Sequence, residues 1–456
     1  MALGDMAEIA IIVLAAGKGT RMKSALPKVL HRAAGRSLLA HVLHAAKALK
    51  PTRLCVVMGP DMAAVEAEAK AVVPDALFAV QAERLGTAHA VSMAREALQG
   101  FSGKVLVLYA DAPLVRPETL SSLAAAPAAM AVLGFEAANP YGYGRLLLDA
   151  SGHITAIREE LDANPQERAV TLCNSGVISI SSTLLWQLLP KIGNANAKGE
   201  YYLTDLVGLA TAQGEKVALV RCPENEVAGV NDRVQLAAIE AELQAGYRRA
   251  HMLGGATLTD PGSVFFSADT VMGQDVVIGP NVVFGPGVRV GNGVEIHAFS
   301  HVEGAIVADG ARIGPYARLR PGADIGKDAH IGNFVEIKNA AIAAGAKANH
   351  LSYIGDANVG AGSNIGAGTI TCNYDGYEKH LTDIGANVFV GSNTALVAPV
   401  KVGDGVNIAA GSVITKNIPA DALAITRPPL EVREGWAVKY REMKKARKAA
   451  RLKAKE

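Results

Sequence analysis

The sequence predicts two architectures in series: an α/β domain with a Rossmann-like, mixed and mostly parallel sheet, followed by a parallel β-helix. Three observations predict this. Residues 7–230 alternate short aliphatic runs with helix-compatible stretches. From about Val264 an aliphatic residue followed by glycine recurs at hexapeptide spacing. The 47 glycines concentrate after residue 250.

In the first half the strand candidates are Ile9–Leu14, Leu54–Met58, Leu77–Val80 and Val105–Tyr109. Between them lie the helix candidates Leu38–Leu49, Met62–Val72 and Ala88–Leu98. This βαβ rhythm places helices on both faces of the sheet. Ligands on such sheets bind beyond the carboxyl ends of the strands. The polar features fall there. Leu14-Ala15-Ala16-Gly17-Lys18-Gly19-Thr20-Arg21 follows the first strand, Gln81 and Gly86-Thr87 follow another, and Tyr109-Ala110-Asp111 closes a third. Glycines let backbone N–H groups approach a phosphate, and Arg21 and Lys28 add positive charge. A nucleoside triphosphate is the expected ligand. A tight strand-to-helix turn with two surface cations fits the loop alone equally well. The loop is neither a Walker P-loop nor G-x-G-x-x-G. Asp111, ending a buried strand, is placed for a divalent cation, though such an aspartate also serves as a helix cap.

Further clusters are Gly142–Arg145, Glu159, Cys173–Gly176, Gly199–Asp205 and Gly229–Asn231. Singly each reads as a turn; together they suggest a broad cleft for a sugar-like ligand. Asn231-Asp232 caps a helix over 231–253 that connects the first domain, 1–230, to the second, 254–438.

In the second half, pairs such as Ile278-Gly279, Ile313-Gly314, Ile365-Gly366 and Val402-Gly403 hold phase over roughly 150 residues, with Ile296, Leu319, Ile337 and Ile408 filling positions where glycine is missing. Three hexads make one coil, and stability comes from stacking coils. One insertion, Thr371–His380, breaks the phase. Arg320, Lys338, His350 and Tyr353 cluster upstream of it. An imidazole at a solenoid surface can act as a general base near neutral pH; a lone histidine is also commonly just exposed.

Bulk composition excludes several classes. The formal charge is +2, but residues 439–456 hold nine Lys/Arg against two Glu, leaving 36 basic and 41 acidic residues elsewhere. No nucleic-acid binding is expected of the folded domains, and the basic tail reads as a solvated or docking extension. Cys55, Cys173, Cys222 and Cys372 show no metal or disulfide spacing, which fits a reducing, cytoplasmic compartment. No apolar run approaches the ~20 residues of a membrane span. Asp5 and Glu8 replace the basic region of a signal peptide.

The motifs LAAGKGTRM, PKVLH, QAERLGTAHA, GYGR, GEYYLTD and GVNDR resemble those of sugar nucleotidylyltransferases. With RPGA, NFVEIKN, ANHLSYIGD and NIGAGTITCNYDG, the chain from about Ile9 to Trp436 resembles one family in particular. These are the bacterial bifunctional N-acetylglucosamine-1-phosphate uridyltransferases/glucosamine-1-phosphate acetyltransferases. The resemblance implies a left-handed β-helix, a homotrimer with shared sites, and Mg²⁺. It implies UTP, N-acetylglucosamine-1-phosphate, glucosamine-1-phosphate and acetyl-CoA as substrates.

By the same resemblance, Leu14, Ala15, Ala16, Gly17, Gln81, Gly86 and Thr87 match uridine-nucleotide contacts, with Tyr109 and Ala110 alongside. Arg21 and Lys28 match cations on the triphosphate, and Asp111 and Asn231 match the Mg²⁺ ligands. Gly144, Glu159 and Asn174 match contacts to the acetylated sugar. In the second domain His350 matches the general base. Arg320, Lys338, Tyr353, Asn364 and Lys379 match contacts to glucosamine-1-phosphate. Ala367, Asn373, Tyr374, Ser392, Ala410 and Arg427 match acetyl-CoA contacts. Ala110 and Ser175 depart from the family's usual Gly and Thr. Two rival readings are a monofunctional nucleotidylyltransferase with the β-helix as trimerisation scaffold, and a non-catalytic exchange-factor subunit. His350, Arg320 and Lys338 argue against the first; Gly17–Arg21, Lys28 and Asp111 argue against the second.

Overall fold

The computed structural model describes residues 8–453. Asp5, and Lys455 of the basic tail, lie outside the described residues. Backbone contacts divide the chain into two compact units. The first runs through Leu253 and takes in Phe265–Thr270; the second holds Gly254–Val264 and the chain from Val271.

The first unit is built on a nine-stranded sheet. Its elements in chain order are β1 (Ile9–Leu14), α1 (Leu38–Ala48), β2 (Arg53–Met58), α2 (Ala63–Val72), β3 (Leu77–Val80), α3 (Thr87–Met93), β4 (Lys104–Tyr109), α4 (Pro117–Ala124) and β5 (Met130–Glu136). Then come β6 (Arg145–Leu148), β7 (Ile154–Arg158), β8 (Leu172–Ser181), α5 (Ser182–Leu188), α6 (Asp205–Ala212), β9 (Val217–Arg221) and α7 (Arg233–Leu253). The strand order is β3-β2-β1-β4-β8-β5-β9-β7-β6. The first four strands are parallel, with Ile12 of β1 between Cys55 and Val107. β8 then enters antiparallel to both β4 and β5.

β1 alternates between two cores, as a strand covered on both faces must. Ile11 and Val13 join Leu39, Val42, Val65 and Leu120 from α1, α2 and α4. Ala10 and Ile12 join Ala88, Val91, Leu185 and Leu206 from α3, α5 and α6. The helix expected over Ala88–Leu98 is shorter: α3 ends at Met93, and tighter turns carry the chain on.

α7, expected as a connector over 231–253, is anchored on the first unit. Ile239 packs with Met22, Leu38 and Val230. The Glu240 carboxylate accepts the Ala34 N–H at 2.6 Å, and the Gln244 amide clasps the Phe266 backbone at 2.7 and 2.8 Å.

The second unit is a left-handed parallel β-helix of hexapeptide repeats. Ile278 pairs with Ile296, and the ladder continues through Ile313, Ile331, Ala348 and Ile365 to Val390 and Ile408. All are buried, so each rung rests on the one below. The long step from Ile365 to Val390 contains the insertion, where Tyr374 bridges Lys379. The basic tail is helical from Trp436 to Lys453, and its described side chains are exposed.

Candidate functional site

A cavity opens at the carboxyl end of β1, with a water-accessible volume of about 250 Å³. Leu14, Ala15, Ala16, Gly17, Lys28, Gln81, Gly86, Thr87, Tyr109 and Asp111 line it, as do Val29, Arg84, Ala90 and Glu200. The sheet fixes its floor: the Ala15 N–H bonds the Val57 carbonyl at 2.7 Å and the Ala110 N–H bonds Leu14 at 3.1 Å. Gly17 faces open space, so backbone is exposed to whatever fills the cavity. Gly19 sits at φ 62, where a Cβ would collide with Lys28.

Gly86 has φ 118, and a Cβ there would lie 2.7 Å from the Tyr201 nitrogen. The reason is a clasp. Tyr201 N–H bonds the Leu85 carbonyl at 2.8 Å, Ala88 N–H bonds the Tyr201 carbonyl at 2.9 Å, and Leu203 N–H bonds the Thr87 hydroxyl at 3.0 Å. The Gly199–Asp205 cluster therefore closes one wall. Gln81, buried, donates its amide to the Gly86 carbonyl at 3.0 Å and lies 3.2 Å from the His89 ring. Arg84 holds the Ala16 carbonyl at 2.8 Å. Sequence reasoning missed Arg84, although it stands inside the QAERLGT motif.

Lys28 bonds the Asp111 carboxylate and reaches the Asn231 amide oxygen at 3.2 Å. Residues 120 positions apart thus meet at one cation, because Val230 N–H bonds the Asp111 carbonyl at 2.9 Å. Among the described residues no three His, Cys, Asp or Glu side chains group as a metal site. The Asp111 carboxylate at the cavity wall, with the Asn231 amide oxygen on the far side of Lys28, suits a hard divalent cation that takes its other ligands from water and phosphate. Arg21 is exposed on the turn Thr20–Met22 and is not among the lining residues. Ala110 belongs to the core below the cavity, so its departure from glycine does not narrow the cavity.

Gly144, Glu159 and Asn174 converge. The Asn174 N–H bonds the Gly144 carbonyl at 2.8 Å, and a Cβ on Gly144 would lie 3.4 Å from the Glu159 carboxylate. Thr204, within the Gly199–Asp205 cluster but not singled out from sequence, donates to Glu159 at 3.1 Å. Burial raises the Glu159 carboxyl above its ordinary value. Tyr109 links the two regions. Burial first, then the charges of Asp111 and Glu159, push its hydroxyl well up. Ser175 donates to the Leu133 carbonyl at 2.6 Å, a backbone role that a threonine hydroxyl also fills.

In the second unit, register stacks Arg318, Glu336 and Tyr353 on successive coils and sets Lys338 beside Gly355. Glu336 holds the Arg320 guanidinium at 2.7 Å. His350 is exposed and pairs with Asn333. The Leu351 that follows has φ 48, which turns the chain toward Tyr353. Asn364 lies on the sheet that carries His350, beside Lys347 of the His350 strand, whereas Arg318, Glu336 and Tyr353 stack on a different sheet. Asn373 is buried, whereas Tyr374 and Lys379 are exposed on the insertion. Ala367, Ser392 and Ala410 recur near one corner: Asn393 N–H bonds Ala367 at 2.7 Å and Gly411 N–H bonds Ser392 at 2.8 Å. Arg427 donates to the Ala410 carbonyl at 2.7 Å. The line runs along the solenoid, as an elongated ligand requires.

Residues 11–171 match the MobA-like NTP transferase domain. Residues 269–304, 304–339 and 382–416 match the bacterial transferase hexapeptide model. The chain is 58% identical over 434 residues to the bifunctional protein GlmU of Azorhizobium caulinodans, covering 94% of this chain and 97% of that protein. It is 58% identical over 441 residues to GlmU of Rhodospirillum rubrum, covering 96% and 98%. With GlmU of Xanthobacter autotrophicus it shares 57% over 434 residues, covering 94% and 97%. One transferase model in each unit and identity along nearly the whole length lead to one conclusion: the chain belongs to the GlmU family of bifunctional proteins.

Proposed function

We propose that the chain makes UDP-N-acetylglucosamine in two steps, acetyl transfer in the β-helix domain read from sequence as 254–438, and uridylyl transfer in the sheet domain read as 1–230. The carrying observation is near-full-length identity to bifunctional relatives. In the first step the amine of glucosamine-1-phosphate attacks the acetyl-CoA thioester. A C–N bond forms, the C–S bond breaks and the CoA thiol leaves. His350 takes the amine proton. Arg320, Lys338, Tyr353, Asn364 and Lys379 hold the sugar phosphate. Asn373, Tyr374, Ala367, Ser392, Ala410 and Arg427 hold acetyl-CoA.

In the second step a phosphate oxygen of N-acetylglucosamine-1-phosphate attacks the α-phosphorus of UTP, and pyrophosphate leaves. Attacker and target are both anions, so the site works by alignment and charge neutralisation rather than by a protein nucleophile. Gln81, Gly86 and Thr87 hold the uridine nucleotide, and Gly17 offers its backbone. Lys28 and Arg21 neutralise phosphate charge. Gly144, Glu159 and Asn174 orient the sugar. Asp111 and Asn231 would hold Mg²⁺, which supplies further charge neutralisation when bound.

The cytoplasm is the proposed compartment. Among the described residues all four cysteines are free and no helix is long and apolar enough to cross a membrane. A homotrimer through the β-helix is supported by a stacked strip of exposed rings. The Tyr316 ring stacks between those of Phe299 and Phe334, each pair with centroids 5.0 Å apart. Phosphorus NMR of the purified protein with glucosamine-1-phosphate, acetyl-CoA, UTP and Mg²⁺ tests the function. It should show UDP-N-acetylglucosamine and pyrophosphate. Uridylylation of the acetylated sugar without acetylation of glucosamine-1-phosphate would instead favour the scaffold reading.

A further inference from the structure

Asp356 occupies a corner of the β-helix that neither step above uses. The corner runs up the solenoid as Gly304, Gly322, Asn339 and Asp356, all at positive φ. Lys338 pairs with Gly355 and Ala340 with Ala357, which sets Asn339 directly beneath Asp356. On the next coil the column breaks. Tyr353 pairs with Ile370 but Ala357 pairs with Thr382, so the insertion 371–380 leaves the solenoid at the corner above Asp356.

The two carboxylate oxygens of Asp356 face opposite ways. Oδ1 accepts the Asn339 amide N–H at 2.6 Å, and Oδ2 accepts the Asn373 amide N–H. Asn373 in turn accepts the His380 N–H on its carbonyl at 2.8 Å. One buried carboxylate therefore fixes the start of the insertion and, through Asn373, its end. Glycine or asparagine fills this left-handed corner on the coils below. An aspartate adds only a charge, which is costly to bury without partners.

Its bonded partners are the two amides; two cations act on it without bonding it, Lys338, whose register partner Gly355 precedes Asp356, and Lys379, which precedes the His380 held by Asn373. Contact with Lys338 drives the Lys379 ammonium below the ordinary lysine value, and the charges of Asp356 and Tyr353 oppose that. Burial acts to raise the Asp356 carboxyl, but its two amide hydrogen bonds, with Lys338 and Lys379 behind them, hold it low. Glu336, one coil below, engages Arg320 of the coil beneath it.

We propose that Asp356 is a positioning residue for acetyl transfer: its carboxylate fixes the insertion through Asn373 and supplies the counter-charge that lets Lys338 and Lys379 stand together for a sugar phosphate. The proposal rests on the acetyl-transfer reading of this unit. It couples the two substrates, because one group sets both the acetyl-CoA contact at Asn373 and the phosphate contact at Lys379.

The test is steady-state kinetics of wild type, Asp356→Asn and the double variant Asn339→Asp/Asp356→Asn, with uridylyl transfer in the same preparations as the folding control. If wild type does not acetylate glucosamine-1-phosphate, the functional reading fails and not this one. With wild type active, Asp356→Asn raises KM for both acetyl-CoA and glucosamine-1-phosphate about tenfold, the scale of one lost hydrogen bond to a charged group. Its kcat stays within about threefold, as expected for positioning. The alkaline limb of kcat/KM for the sugar phosphate moves to lower pH, since Lys379 loses its counter-charge while Lys338 remains. In the double variant the introduced amide accepts from Asn373 and donates to the introduced carboxylate, so KM for acetyl-CoA returns toward wild type. Unchanged KM values and pH limb in Asp356→Asn overturn the proposal. So does a double variant no better than the single one, or a parallel loss of uridylyl transfer.

Discussion

The ammonium of Lys28 is bonded to the Asp111 carboxylate and lies 3.2 Å from the Asn231 amide oxygen. A cation therefore already sits between the two oxygens proposed to bind Mg²⁺. A divalent metal held by these two oxygens would have to displace it, leaving Lys28 to meet phosphate. Asp111→Ala should weaken Mn²⁺ binding, read by paramagnetic resonance, and lower uridylyl transfer by about 10²-fold or more. Lys28→Ala should tighten Mn²⁺ binding in the absence of nucleotide while raising KM for UTP. Weaker Mn²⁺ binding in Lys28→Ala would count against the displacement.

Gly86 tests the nucleotide wall. Its φ of 118 and the 2.7 Å approach to the Tyr201 nitrogen leave no room for a methyl group. Gly86→Ala should lower stability by ~1–3 kcal/mol and raise KM for UTP, with acetyl transfer unaffected. Urea unfolding and parallel assays of both activities check this.

His350 is the one proton-transfer group in the account. His350→Ala should lower acetyl transfer by about 10²–10⁴-fold and leave uridylyl transfer intact. Separate assays of the two steps on one preparation decide it.

Glu159 carries a pH prediction. Burial raises its carboxyl, opposed by the Thr204 hydroxyl and the Lys198 charge. A raised folded value means that its contribution to stability is present below the ordinary glutamate range and is lost as pH rises through the raised value. Glu159→Gln stays neutral throughout. Its Tm should match the parent near pH 4 and exceed it at pH 7, while its KM for N-acetylglucosamine-1-phosphate rises. A Tm difference that does not change with pH would contradict this.

The cysteines should separate by reactivity. Burial raises the Cys55 and Cys222 thiols to about 12 and that of Cys173 to about 11. Cys372 is half-exposed at the root of the insertion, beside Asn373. Maleimide should modify Cys372 first, seen by peptide mass spectrometry, and slow acetyl transfer without affecting uridylyl transfer.

The sequence made some parts of this legible and hid others for physical reasons. β1 was readable to the residue, since a strand buried on both faces is a continuous aliphatic run; β3, an edge strand with Leu77 and Val80 exposed, was readable from its short apolar run alone. The β-helix was readable because each rung repeats the same inward position. The antiparallel entry of β8 was not: its polar Asn174-Ser175-Gly176 interrupts the run, and the register shifts there. Arg84, Thr204 and Asp356 were not singled out because each acts on a partner brought in by tertiary structure, Ala16, Glu159 and Asn373 respectively. Asn231 was placed beside Asp111 only through the resemblance. The structure adds the backbone bond from Val230 that brings them together.

The central claim is that one chain carries two independent sites joined by a released intermediate. The most direct measurement mixes His350→Ala and Asp111→Ala proteins with glucosamine-1-phosphate, acetyl-CoA, UTP and Mg²⁺, and follows UDP-N-acetylglucosamine by phosphorus NMR. The account predicts almost no product from either variant alone and clear product from the mixture. Product from either variant alone at the wild-type rate, or none from the mixture while wild type is active, would contradict it.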